Sequence, residues 1–146
     1  MNEQELEACT RRHLREEFPL YKEEHEVRAH IWFTNTTVAY RTRQGIPFES
    51  TYFDIEFKRN ICDINHIEIE PEERRKGHGR KFYSAVENIA REYGSEKVRL
   101  TASGTMPDGR SKTEYMESMG YVRIRKVIKG AEDGKDTAWV VEKILK

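Results

Sequence analysis

Apolar residues recur at helical spacing over 3–18, where Leu6, Cys9, His13 or Leu14, and Phe18 share one face of an otherwise charged segment that stops before Pro19. This predicts an amphipathic first helix. The period then shortens to two. Val27, Ala29 and Ile31 alternate with Arg28 and His30 over 25–33, and a second alternating run covers 37–43, so a hairpin about Thr34-Asn35-Thr36 is expected. Turn residues at 44–47 (Gln-Gly-Ile-Pro) precede a third strand over 51–58, in which Phe53, Ile55 and Phe57 alternate with Tyr52, Asp54 and Glu56. A fourth strand runs over 61–70. Helical spacing returns over 77–93, with Phe82, Val86, Ile89, Ala90 and Tyr93 on one side and a stop at Gly94.

The remaining elements are shorter. A buried strand is predicted over 97–102, a loop with Gly104, Pro107 and Gly109 over 103–110, and a short helix over 111–119 capped by Ser111 and stopped at Gly120. Two strands, 121–128 and 137–145, joined by the polar segment 129–136, complete the chain as a hairpin. The order α-β-β-β-β-α-β-α-β-β predicts a mixed sheet with helices packed on it, and a right-handed central strand-helix-strand passage.

A chain of 146 residues suits a single domain over 1–146 with its own core. Charged residues make up 36% of it, but 26 basic and 26 acidic side chains cancel, so no global field draws it toward nucleic acid or anionic lipid. Neither an RNA-recognition nor a helix-turn-helix signature accompanies the local basic cluster, which argues against nucleic acid as partner. No apolar run approaches the length of a membrane span, and Met1-Asn2-Glu3-Gln4-Glu5 is unlike a secretory leader, so a cytoplasmic protein is expected. Cys9 and Cys62 show no zinc-type spacing with histidine and are expected as reduced thiols, with no metal implied.

The densest chemistry lies between the fourth strand and the second helix, in Ile67-Glu68-Ile69-Glu70-Pro71-Glu72-Glu73-Arg74-Arg75-Lys76-Gly77-His78-Gly79-Arg80. Pro71 ends the strand because it cannot donate to a ladder. Two glycines then let backbone approach a bulky anion, and the next helix opens with unpaired N–H groups and a partial positive charge. Arg75, Lys76 and Arg80 add formal charge. The segment therefore reads as a phosphate cradle; a plain strand-to-helix turn with solvated basic residues is the simpler alternative. Neither a P-loop nor a GxGxxG pattern is present.

The full pattern, apolar-x-apolar-x-Pro-x-x-Arg-x-x-Gly-x-Gly, is met by Ile67, Ile69, Pro71, Arg74, Gly77 and Gly79. It resembles the acetyl-CoA signature of the GNAT N-acetyltransferase superfamily, from the fourth strand onward. The resemblance implies an α/β (α+β) acyl-CoA N-acyltransferase fold, a mixed sheet of about seven strands flanked by helices, with an N-terminal helix region over 1–24 and a CoA-binding core over 61–120. It implies acetyl-CoA as cosubstrate and an amine of a small molecule or a peptide as acceptor. The pantetheine arm would lie along Ile67, Glu68 and Ile69, and the pyrophosphate on the amides of Arg75, Lys76, Gly77, His78, Gly79 and Arg80, with Arg74 at the motif's Arg or Gln position. Homodimerisation is compatible with the resemblance. A CoA-binding module without turnover is the alternative.

Two catalytic expectations follow from the resemblance. A proton acceptor is needed, because an ammonium has no lone pair to attack a thioester. The corresponding fourth-strand positions are Asp63 and Asn65, of which Asp63 is the candidate base, with Glu56 and His66 behind it. The proton donor to the CoA thiolate is a tyrosine four residues before a Gly-aromatic pair; Gly120-Tyr121 is that pair, yet Met116 holds the tyrosine's place and Tyr115 stands one step earlier, about 100° around a helix. Tyr115 is the candidate acid. The front end departs from the family, with one helix followed directly by a hairpin. That helix, or a second subunit, would have to wall the acceptor site.

Overall fold

The computed structural model describes residues 1–43, 50–74, 76–128 and 137–146, with Glu72, Ile128 and Thr137 described by backbone alone. The expected turn at 44–47, the connecting segment 129–136 and Arg75 lie outside the described residues. The elements are α1 (Glu3–Glu17), β1 (Glu26–Ile31), β2 (Thr36–Arg41), β3 (Tyr52–Lys58), β4 (Ile61–Glu68), α2 (His78–Tyr93), β5 (Lys97–Ala102), α3 (Lys112–Ser118), β6 (Val122–Ile128) and β7 (Thr137–Ile144), with a short 3-10 turn at Pro71–Glu73. The sequence order holds, and the 3-10 turn is the addition. One seven-stranded sheet runs β1-β2-β3-β4-β5-β7-β6. Among the described residues, only β4 and β5 pair in parallel.

The ends of the helices follow from local chemistry. Asn2 and Glu5 form a reciprocal capping box at the start of α1, with the Glu5 amide donating to Asn2 at 2.8 Å. Gly94 ends α2 in the left-handed region, at φ +105°, and its N–H donates to the Ala90 carbonyl. Ser111 caps α3 by accepting from the Glu114 amide at 3.0 Å.

Cross-strand register gathers the apolar residues on one side of the sheet. Ala29 faces Val38, Val38 faces Ile55, Tyr40 faces Phe53, and Phe57 faces Cys62, which in turn faces Val98. Leu6, Leu14 and Phe18 of α1 and Phe82, Val86 and Ile89 of α2 complete that core. Phe82 stands at its centre, stacked on Phe18 at 4.5 Å and tilted against Phe53 at 5.6 Å.

A polar knot ties α1 to α2. The Cys9 thiol donates to Glu92 Oε2 at 2.8 Å, His13 Nε2 meets the same oxygen at 2.8 Å, and Arg12 bonds to it as well. Cys9 and His13 are one helical turn apart, so their i,i+4 spacing already sets them side by side, and Glu92 arrives from α2. The Cys9, His13 and Arg12 bonds hold the Glu92 carboxyl down at about 2, while burial and the same carboxylate push the Cys9 thiol up to about 12.

Candidate active site

The site begins with a defect in β4. Ile64 faces Ile55 and His66 faces Asp54, so Asn65 has no register partner on β3 and forms a β-bulge. The bulge shifts the alternation by one: Cys62 and Ile64 point to the core before it, and Ile67 after it. The β4–β5 ladder stops at the same level. Pairing runs from Ile61↔Lys97 to Asp63↔Arg99 and goes no further, while β4 keeps β3 and β5 keeps β7. The two parallel strands therefore splay, leaving their backbone edges unpaired with each other.

A cleft of about 1100 Å³ occupies the splay, between Ile67, Glu68 and Ile69 on one side and Thr101, Ser103 and Thr105 on the other. The beginning of α2 forms its floor. Gly77 caps that helix at φ +80° with no side-chain hydrogen bond, so the first-turn amides at His78, Gly79 and Arg80 have no capping acceptor. An added Cβ at Gly77 would meet nothing within 4 Å; the glycine serves the backbone angle alone. At Gly79 the cause is different, because an added Cβ would lie 2.7 Å from the Tyr115 hydroxyl.

The basic residues of the turn divide their labour. Arg74 braces the loop, donating from Nε to the Ile69 carbonyl at 3.0 Å and from a terminal nitrogen to Glu68 at 3.1 Å. Lys76 and His78 both approach Glu73, at 3.3 and 3.7 Å. Arg80 reaches across to Ser118 on α3 at 3.0 Å. Of the expected cofactor-binding residues, Ile67, Glu68, Ile69, Arg74, Gly77, Gly79 and Arg80 line the cleft. Lys76 and His78 flank it in the turn.

Tyr115 lines the cleft and Met116 does not; Met116 is fully buried in the core. Burial raises the Tyr115 phenol above its ordinary range, so it holds its proton at neutral pH. Arg110 and Arg80 lie 5.7 and 6.0 Å from its ring centre.

On the other side of the sheet a smaller hollow, about 300 Å³, is lined by Asp63, Asn65, Arg99, Thr101 and Arg125 among others. Asn65 and Thr101 line both spaces, so they meet at the bulge. Asp63 does not stand free there. Arg99 holds both its oxygens, at 2.8 and 3.2 Å, and reaches on to Glu142 at 3.8 Å. Glu56 is bonded by Asn35 and lies 3.4 Å from Lys58. His66, next to the bulge, lines the large cleft and makes no ion pair or side-chain hydrogen bond among the described residues.

Helix α1 lines neither space; it packs on α2 and β1. Thr101, Tyr83 and Lys112 line the cleft and were not signalled by the sequence, while Asn65, named there beside Asp63, forms the bulge. The bulge had left a trace: the apolar phase changes from Cys62 and Ile64 to Ile67 and Ile69.

The fold recurs in solved acetyltransferase structures. An acetyltransferase from Bacillus cereus is 15% identical, with 99% of this chain and 94% of that one covered at a TM-score of 0.57. Nourseothricin acetyltransferase is 13% identical, with 86% and 87% covered at 0.56. A spermidine N-acetyltransferase chimera from Vibrio cholerae is 13% identical, with 77% and 69% covered at 0.52. No curated protein sequence matches the chain. The family model described as "Acetyltransferase (GNAT) family" matches residues 2–121, reaching well before the fourth strand where the sequence resemblance began. With the splayed β4–β5 pair and the glycine-capped turn between strand and helix, that match places this chain in the GNAT acetyltransferase family.

Proposed function

We propose that the protein is an acetyl-CoA-dependent N-acetyltransferase acting on a primary amine of a small molecule or peptide. The observation that carries this reading is the glycine-capped first turn of α2, open toward a cleft that meets a second hollow at Asn65 and Thr101. Uncapped amides, the helix dipole and nearby basic side chains suit a pyrophosphate. The unpaired edge of β4 at Ile67 to Ile69 suits the amides of a pantetheine arm. Acetyl-CoA would supply an acetyl group already activated as a thioester, and the amine would arrive from the Asp63 side.

Amide formation joins the amine nitrogen to the acetyl carbon and breaks the carbon–sulfur bond; an ammonium gives up one proton before it can attack and a second as the amide forms, and the thiolate takes one up. His66 accepts the amine's proton, directly or through water, since its imidazole lines the cleft with no ion pair among the described residues, whereas both Asp63 oxygens are engaged by Arg99. Asp63 then acts with Arg99 in shaping the acceptor hollow. Tyr115, protonated and facing the cleft, donates to the sulfur. Two buried, unpaired cysteines accord with a reducing, cytoplasmic compartment.

Calorimetric titration with acetyl-CoA, followed by free-thiol release against amines, polyamines and peptide N-termini, tests the reading. Binding with acceptor-dependent thiol release is the expected result. Binding without release for any acceptor would favour a regulatory CoA-binding module, and absence of CoA binding at high ligand concentration would overturn the proposal.

A further inference from the structure

Two polar groups in the cleft have no hydrogen-bond partner among the described residues. The Tyr83 hydroxyl is buried without a hydrogen bond, on a side chain only 4% exposed that lines the cleft one turn beyond Gly79. Lys112, the first residue of α3, lines the same space with its ammonium 5.2 Å from the centre of the Tyr83 ring and 5.8 Å from that of Tyr115. The two aromatic faces stabilise the cation in part, on the order of 1 kcal/mol. They leave its N–H donors without an acceptor. Neighbouring carboxylates do not serve: Glu68 is bonded to Arg74, and Asp108 to Arg110 at 2.8 Å. Burial pushes the Lys112 pKa down, and the Glu68 carboxylate offsets this only in part.

A buried phenol and a desolvated ammonium together are costly in the free protein and favourable once an oxygen anion arrives. We propose that Tyr83 and Lys112 form an oxyanion-binding pair in the cleft, receiving a negatively charged oxygen of the CoA thioester. The proposal rests on the acyl-CoA reading of the cleft, and it is distinct from the cradle of backbone amides at α2. Two groups on such a ligand have the required chemistry: a phosphate of CoA, or the free carboxylate of an acyl chain such as succinyl. The second would make the pair a determinant of acyl-group choice.

Calorimetric titration of the wild type, Lys112→Met, Lys112→Arg and Tyr83→Phe with CoA, acetyl-CoA and succinyl-CoA tests it, with unchanged melting temperature as the check on folding. Loss of a hydrogen bond to a charged group predicts weaker binding by about tenfold in Lys112→Met, with recovery in Lys112→Arg and a smaller loss in Tyr83→Phe. An equal loss for all three ligands identifies a CoA phosphate, and a loss confined to succinyl-CoA identifies the acyl carboxylate. Unaltered affinities in Lys112→Met and Tyr83→Phe for all three ligands, with the wild type binding normally, would overturn the pair alone. Absence of wild-type binding would overturn both the pair and the acyl-CoA reading.

Discussion

The Tyr115 hydroxyl occupies the space that a β-carbon on Gly79 would need, 2.7 Å away, so the second glycine of the turn and the candidate acid are fitted to each other. Gly79→Ala should force one of them to move, at about 1–3 kcal/mol for overpacking. Removing the hydroxyl should relieve the clash. In a double-mutant cycle, the stability lost in Gly79→Ala is therefore expected to shrink in the Tyr115→Phe background. Thermal or urea unfolding of the four proteins provides the measurement, and additive losses would contradict the fit.

Gly77 predicts a different pattern, because its surroundings are open and only its φ of +80° demands glycine. Gly77→Ala should cost about 1–2 kcal/mol of stability. Gly77→Asn should cost less, since asparagine tolerates the left-handed region. In Gly77→Asp the strain is joined by a carboxylate at the anion site, so CoA affinity should fall by tenfold or more, roughly the worth of a charge-assisted contact. Calorimetry on the three variants separates strain from charge: equal affinity in Gly77→Asp and Gly77→Asn would refute a pyrophosphate at this turn.

How much of this was legible in the sequence depended on the range of the interaction. The strand-turn-helix passage was readable because its signals are contiguous: Pro71 ends a strand, Gly77 turns the backbone, and His78 begins a helix. Strand order along the chain was readable from period-two alternation, whereas the insertion of β7 between β5 and β6 is a pairing choice made at long range. Tyr115 could not be oriented from spacing, because a 100° ambiguity is settled by which neighbour enters the core; Met116 does, and Tyr115 faces Gly79. Lys112 after a Ser cap reads as a solvated first-turn residue. Only the packing of α3 beside α2 desolvates it.

The Glu92 knot gives the fold a sensitivity to acid. Its carboxyl is lowered from 4.5 to about 2 by the bonds from Cys9, His13 and Arg12, so the contribution is fully present above pH 4.5 and is lost as pH falls toward 2. Glu92 is partly exposed, so solvent screening keeps the effect modest. Glu92→Gln should lower stability at pH 7 by on the order of 1 kcal/mol. The gap to the wild type should close as pH falls from 4.5 toward 2. Urea midpoints measured across that range would show it, and a gap independent of pH would mean that the carboxylate charge does not hold α1 to α2.

The assignment of the proton acceptor makes the last prediction. His66 and Asp63 flank the bulge at Asn65, but only Asp63 is bound by a guanidinium. If His66 takes the proton, His66→Gln should spare acetyl-CoA affinity, lower kcat by about 10²-fold or more, and abolish the acid limb of the kcat/KM profile. Asp63→Asn should behave otherwise. It frees Arg99 beside the hollow, so KM for a cationic amine should rise while the acid limb persists. The profile is followed with saturating acetyl-CoA, so that kcat/KM for the amine reports the acetyl-CoA-bound enzyme and kcat the complex with both substrates. Loss of the limb in Asp63→Asn with its retention in His66→Gln would transfer the role to the aspartate and require Arg99 to release it on substrate binding.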